Sequence, residues 1–307
     1  MRRTRNERKR WTATEIGSMA GQIAIVTGTG GLGYETALAL ASAEAEVVLA
    51  GRSEHKGKAA LERIKEACPS AKVRFMHLDL AALASVKAFC ERAQAELERV
   101  DLLINNAGIM ATPVREVTKD GFELQLGTNY LGHFALTMGL LPLLGKSGTA
   151  RVVNVSSMAH RSGHIHFDDL QLEKGYTPLG AYSQSKLACL MFAFELQRRS
   201  AAAGWGITSI GVHPGGAATG LFHGMPRHVR FLLWLTAPLM QTPSQGAQSA
   251  LFAASSPVAK GGCFYGPTHL FEARGKPELC RPAKQAMDEQ DAAKLWTISC
   301  ALLNIKE

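Results

Sequence analysis

Tyr182 and Lys186 stand four residues apart in Ala181-Tyr182-Ser183-Gln184-Ser185-Lys186, and the pair Ser156-Ser157 lies upstream. These residue types can move a proton at a carbonyl or alcohol oxygen. A free phenol titrates near ~10 and is a poor base at neutral pH. Four residues along a helix bring a lysine ammonium onto the same face. Its positive charge favours the phenolate over the phenol. A serine hydroxyl can then hold the substrate oxygen while the tyrosine gives or takes its proton. The same spacing also arises by chance on helices, with a half-buried Tyr and a solvated Lys, so its meaning depends on its surroundings.

Those surroundings alternate between strand and helix. Apolar runs at 23–27, 46–50, 72–78, 101–105, 150–155 and 207–212 read as buried strands. Helical patterns occupy 34–43, 56–67, 85–98, 122–144 and 181–203. Continuous apolar strands alternating with helices imply an α/β fold, a parallel sheet covered on both faces. One domain over 19–307 is expected, after an N-terminal arm at 1–18. An irregular excursion near 216–245, rich in Gly, Pro and aromatics, fits a cover over a substrate.

Gly28-Thr29-Gly30-Gly31-Leu32-Gly33 follows the first strand and opens the first helix. It fits G-x-G-x-x-G at the place where a doubly wound, three-layer Rossmann fold takes a dinucleotide. Glycines let the backbone approach a pyrophosphate, and the helix N-terminus offers unpaired N–H groups and a positive dipole end. The end of the second strand selects the cofactor. Ala50-Gly51-Arg52-Ser53 has no acid there to take a ribose 2′-hydroxyl. Arg52, with Ser53 and Lys56 nearby, suits a 2′-phosphate and favours NADP(H) over NAD(H).

The 307 residues carry a net charge of +8, which raises the question of nucleic acid. Six basic residues against Glu7 in the first ten supply +5 of it, so the charge belongs mostly to a solvated arm. Nucleic acid is not an expected partner. Cys68, Cys90, Cys189, Cys263, Cys280 and Cys300 show no C-x-x-C, so neither a disulfide framework nor a metal site is expected and a reducing cytoplasm is the simplest setting. The most apolar stretch, 231–240, contains Pro238 and is about half the ~20 residues that span a bilayer. It reads as a lid over an apolar site; contact with a membrane surface is the lesser alternative.

With these motifs in order, the chain resembles the short-chain dehydrogenase/reductase family from about residue 11 to its C-terminal region. Asn105-Asn106-Ala107-Gly108 resembles the family's N-N-A-G motif, Asp79-Leu80 its adenine-contacting position, and Pro214-Gly215 with Thr219 its nicotinamide border. Asn129, Ser157, Tyr182 and Lys186 match its catalytic positions. The stretches Trp11–Ile16, Ser156–His160 and Ile165–Leu170 are similar to the retinol dehydrogenase-like branch, which includes the WW-domain oxidoreductase. That loop resemblance assigns His160, His164 and His166 to structure rather than to zinc. Two departures stand out. The family's glycine run is one residue shorter here, and Glu44 replaces a helix-ending glycine.

The resemblance implies hydride transfer between a nicotinamide and a carbonyl/alcohol pair. Tyr182 acts as general acid/base, Ser157 steadies the oxygen, Lys186 holds the ribose and Asn129 anchors a water relay. The substrate class implied is a lipophilic ketone or aldehyde, retinoid-, steroid- or polyketide-like. Homo-oligomers through helices at 122–144 and 181–203 are also implied. The rival from another class is a non-catalytic NADP(H)-binding sensor or interaction protein, which the shortened glycine run would suit.

Overall fold

The computed structural model describes residues 11–216 and 240–306. Within them the chain runs β1 (Ile23–Thr27), α1 (Gly31–Ser42), β2 (Glu46–Gly51), α2 (Glu54–Ala67), β3 (Val73–His77), α3 (Leu83–Glu96) and β4 (Leu102–Asn105). A short α4 (Leu124–Leu126) leads through a π-helical turn (Gly127–Leu131) into α5 (Gly132–Gly139) and α6 (Leu141–Ser147). Then come β5 (Arg151–Val155), α7 (Pro178–Ala203), β6 (Thr208–Val212), α8 (Pro243–Ser255), β7 (Phe264–His269), β8 (Arg274–Leu279) and α9 (Glu289–Leu303).

The strands form one sheet in the order β3-β2-β1-β4-β5-β6-β7-β8. All pairs are parallel except β7 with β8. Central strands are buried along their length, and helices cover both faces. One core layer joins α3, α5, α6, α7 and α9, and the other joins α1, α2 and α8. This is the three-layer Rossmann arrangement expected from the sequence. Strand order reverses between β1 and β4, and a crevice opens there at the strands' carboxyl ends.

Three local differences from the sequence expectation have physical causes. The stretch 122–144 is not one helix. Pro142, at the start of α6, cannot continue the hydrogen-bond ladder, and the backbone breaks at Leu140. The expected arm at 1–18 is already packed from Trp11, whose ring meets Phe252 edge-on at 5.4 Å. The Ala13 N–H also donates to Gln248 Oε1 at 3.0 Å. Beyond 243, the structure adds helices and an antiparallel hairpin that the strand–helix alternation does not predict. The start of α8 is fixed by a capping box between Thr242 and Gln245. The expected lid over 231–240 and the basic residues 1–10 lie outside the described residues, apart from Met240.

Candidate active site

The glycine turn is built by close approach. A Cβ on Gly33 would lie 2.1 Å from the Gly28 carbonyl oxygen and 2.8 Å from Asn106 Nδ2. Only glycine lets α1 start this tightly against β1. Gly28 itself has φ +98°, in the left-handed region. The shortened run therefore still reaches the cofactor-facing edge of the sheet.

Gly28, Gly30, Gly31 and Leu32 line a cleft of about 870 Å³, with Arg52 and Lys56 on one side and Asn106, Ala107 and Gly108 on the other. The structure adds Arg63, which lines the same cleft and lies over the Tyr34 ring at 4.0 Å. Its spacing of seven from Lys56 puts both on one face of α2, a signal present in the sequence. Three cations at one end of a crevice above a helix N-terminus suit a phosphate-rich dinucleotide.

Some expected cofactor contacts lie outside this lining. Ser53 caps α2, its hydroxyl accepting the Lys56 N–H at 3.3 Å. Asp79 closes its own turn by accepting the Ala81 N–H, and Leu80 is buried against Gly132. Gly33 sits behind the turn. Pro214 and Gly215 stand at the end of β6, tied to Gln241 through the Pro214 carbonyl. Thr219 lies outside the described residues.

Two of the catalytic candidates, Asn129 and Lys186, meet beside Gly108. A Cβ there would lie 3.0 Å from Asn129 Oδ1 and 3.5 Å from Lys186 Nζ. The Asn129 side chain is bonded at both ends: Oδ1 accepts the Ile109 N–H at 2.8 Å, and Nδ2 donates to the Ile109 carbonyl and to Ser185 Oγ. The π-helical turn carrying it is a rare local geometry that recurs at functional sites. Lys186 Nζ donates to the Val155 carbonyl at 3.0 Å and stands 5.9 Å from the centre of the Tyr182 ring. Tyr182 and Lys186 are 6% and 4% exposed, so this charge acts in a largely water-excluded place.

The two serines separate cleanly. Ser156 is buried and donates to the Lys186 carbonyl at 2.6 Å, a structural tie between β5 and α7. Ser157 is partly exposed and caps the next turn by accepting the Ala159 N–H at 3.2 Å, which leaves its own O–H to donate. His160 holds that turn in place, Nδ1–H donating to the Ser157 carbonyl at 2.6 Å and Nε2 accepting the Ala283 N–H. Burial pushes its pKa down, so it stays neutral.

Among the described residues, His213, Glu272 and Cys280 bring donor atoms within 4.8 Å of one another. Arg161 already holds both Glu272 oxygens, at 2.7 and 2.8 Å. His213 Nδ1 accepts the Gly215 N–H at 3.3 Å, which leaves the imidazole proton on Nε2, facing Cys280 and Glu272. These bonds fasten the β7–β8 hairpin to the end of β6.

A family model described as short chain dehydrogenase matches residues 22–229. The chain belongs to the short-chain dehydrogenase family. Within that family it is 38% identical over 304 residues to a polyprenol dehydrogenase of Danio rerio, spanning 97% of this chain and 91% of that one. It is 40% identical to human retinol dehydrogenase 12, over 94% of this chain and 88% of that one. Its retinol dehydrogenase-like character is thereby established. Among solved structures, an uncharacterised protein of Mycobacterium paratuberculosis superposes with TM-score 0.80 at 39% identity, covering 97% of this chain and 98% of the other. A short chain dehydrogenase of Shigella flexneri, solved with NADP, superposes with TM-score 0.64 at 25% identity, over 80% and 96% of the two chains. This short-chain dehydrogenase is an oxidoreductase by family, and its candidate site lies where the fold's cofactor crevice opens.

Proposed function

We propose that the protein interconverts a carbonyl and an alcohol on a lipophilic small molecule with NADP(H), and that Tyr182 is its general acid/base. The carrying observation is that Lys186 and Asn129 meet beside Gly108 at the edge of a cleft lined by Arg52, Lys56 and Arg63, with the Tyr182 ring centre 5.9 Å from Lys186 Nζ. The cleft fits the dinucleotide: its glycine wall leaves no side chain in the way, and its cations suit a 2′-phosphate. When bound, the nicotinamide supplies the hydride that reaches the carbonyl carbon.

The chain's own residues do the rest. Tyr182 gives its phenolic proton to the carbonyl oxygen, or takes one from the alcohol in the reverse direction. Ser157 donates its hydroxyl proton to the same oxygen and steadies the charge that develops there. Lys186 places positive charge beside the phenol and keeps N–H groups for the ribose. Asn129 holds the Ile109 backbone at the cleft wall. Its Oδ1 accepts one N–H and keeps a second lone pair, which is open to a relay water beside Lys186.

An apolar substrate is supported by Ile109, Met110 and Pro113 in the cleft wall and by Leu179, 61% exposed and three residues from Tyr182. Retinol and polyprenol, the substrates named for the relatives, set the chemical class: long apolar alcohols and their carbonyl partners. Six free thiols are consistent with a reducing, cytoplasmic setting, and no helix among the described residues is long and apolar enough to cross a membrane. The reading includes no nucleic-acid partner.

A panel of lipophilic aldehydes and ketones, each run with NADPH and with NADH, tests it. NADPH oxidation on part of the panel is expected. Tight NADPH binding without oxidation of it across the panel would favour the sensor instead.

A further inference from the structure

His133 lies under the site, 3% exposed, at the second position of α5. The sequence pattern gave it no role. Its two ring nitrogens join segments that are far apart in the chain. Nδ1 is 2.8 Å from the Asn129 carbonyl oxygen, and Nε2 is 2.9 Å from Thr27 Oγ1.

The proton positions follow from counting. Thr27 Oγ1 accepts the backbone N–H groups of Asn106 and Ala107, both at 2.9 Å. Those two bonds fill its lone pairs, so its own proton must be donated. His133 Nε2 at 2.9 Å is closer than the alternative, the Ile104 carbonyl at 3.2 Å. The Asn129 carbonyl can only accept. One tautomer closes every bond: Nδ1–H toward Asn129, and a lone pair on Nε2 toward Thr27. Burial depresses the His133 pKa to about 4, so the neutral ring that this pattern needs is the one present at neutral pH.

The Asn129 carbonyl also accepts the Cys189 thiol at 3.2 Å, and Cys189 lies one turn beyond Lys186 on α7. Three segments thus meet at one imidazole and one carbonyl. These are the end of β1 with the Asn106–Gly108 wall of the cleft, the π-helical turn with Asn129, and the helix with Lys186. We propose that His133 is a positioning residue that locks the cofactor wall at Asn106–Gly108 to the Asn129 turn through Thr27. It touches neither cofactor nor substrate. It acts by fixing the direction of the Thr27 hydroxyl and the height of the Asn129 turn. The proposal rests on the NADP(H) reading only for the choice of ligand that reports it.

The test uses the full chain and reads three quantities: dinucleotide affinity by nicotinamide fluorescence with NADPH and NADH, kcat on the best carbonyl of the panel, and melting temperature. His133→Phe keeps a ring of similar size and removes both bonds. It is expected to weaken binding of the preferred dinucleotide and to lower kcat by tenfold or more each. His133→Gln offers both an N–H donor and an oxygen acceptor, as the neutral imidazole offers both, and is expected to recover a large part of both losses. Where His133→Phe does not fold, His133→Met replaces it as the bondless variant.

Combining His133→Phe with Thr27→Val is expected to be little worse than the worse single change, as for two members of one unit. Three results would each overturn the proposal: affinity and kcat within twofold of wild type in the bondless variant, no advantage of Gln over the bondless variant, or single effects that multiply in the double variant. A lowered melting temperature with unchanged affinity would reduce His133 to packing. The affinity arm needs no turnover, so a chain that binds dinucleotide but reduces nothing sinks the enzymatic reading alone.

Discussion

Lys186 spends one N–H on the Val155 carbonyl, which leaves two donors directed elsewhere and a fixed positive charge near the Tyr182 ring. Replacing Tyr182 by Phe removes the proton and little volume. Turnover should fall by about 10²–10⁴-fold with dinucleotide affinity unchanged, the usual span for a lost general acid/base; steady-state kinetics beside a binding titration checks both halves. Arg52→Ala and Arg63→Ala should each weaken NADPH by roughly tenfold or more, the worth of a charge-assisted bond, while NADH changes little. Equal loss for both dinucleotides would place these arginines away from the 2′-phosphate. The four proposed catalytic residues could be picked from the sequence because their spacing is local or matches family motifs. Arg63 shares a face of α2 with Lys56 and was within reach of the sequence, whereas Thr27 and His133 gain their meaning only across the sheet. Thr27 lies 106 residues from His133, and no periodicity reports that bond.

At the scale of elements, α1 ends in strain. Glu44 has φ +73°, the left-handed position where a glycine usually stops a helix, as the sequence comparison expected. A side chain there costs about 1 kcal/mol. Glu44→Gly should stabilise the protein by about half that amount and raise its melting temperature by about 1 °C, because the relieved strain exceeds the flexibility that glycine adds to the unfolded chain. A melt lowered by the change would show that the Ser18 bond to the Glu44 carboxylate outweighs the strain. The βα units from β1 to β6 were readable because apolar strands and amphipathic helices differ in period. The part after 243 was not, because β8 is a half-exposed edge strand with Pro277 and little alternation. The break at Leu140 and the π-helical turn at Asn129 also escaped, since both sit inside a stretch whose composition is helical throughout.

Across the whole molecule, α9 covers α7. Trp296 packs on Phe134 and Phe192 at 4.8 and 5.7 Å, and Tyr130 donates to Ser299 Oγ at 2.7 Å. Residues 181–196 of α7 are consequently all buried within one chain. The homo-oligomer implied by family resemblance, through helices at 122–144 and 181–203, meets a covered face here, so we propose that any self-association uses another surface. Removing residues 288–307 should uncover Tyr130, Phe134 and Phe192 and give larger species in sedimentation than the full chain gives; identical sedimentation would contradict this. Buried neutral histidines set the response to acid. Burial holds His133 at about 4 and His213 at about 3, both below the ordinary value of 6.5. The unfolded chain therefore binds more protons between these values, and stability is full above about pH 6.5 and falls as pH drops toward 4. Each histidine should cost about 2 kcal/mol between pH 7 and pH 5, seen as a falling urea midpoint, and a flat profile would mean that these rings are solvated. The most direct measurement of the central claim is NADPH oxidation by wild type and Tyr182→Phe on a lipophilic aldehyde, with dinucleotide affinity taken on the same samples. Expected is turnover in wild type, preferring NADPH to NADH, and its near-complete loss in Tyr182→Phe at unchanged affinity. Retention of most NADPH-dependent activity in Tyr182→Phe would contradict it.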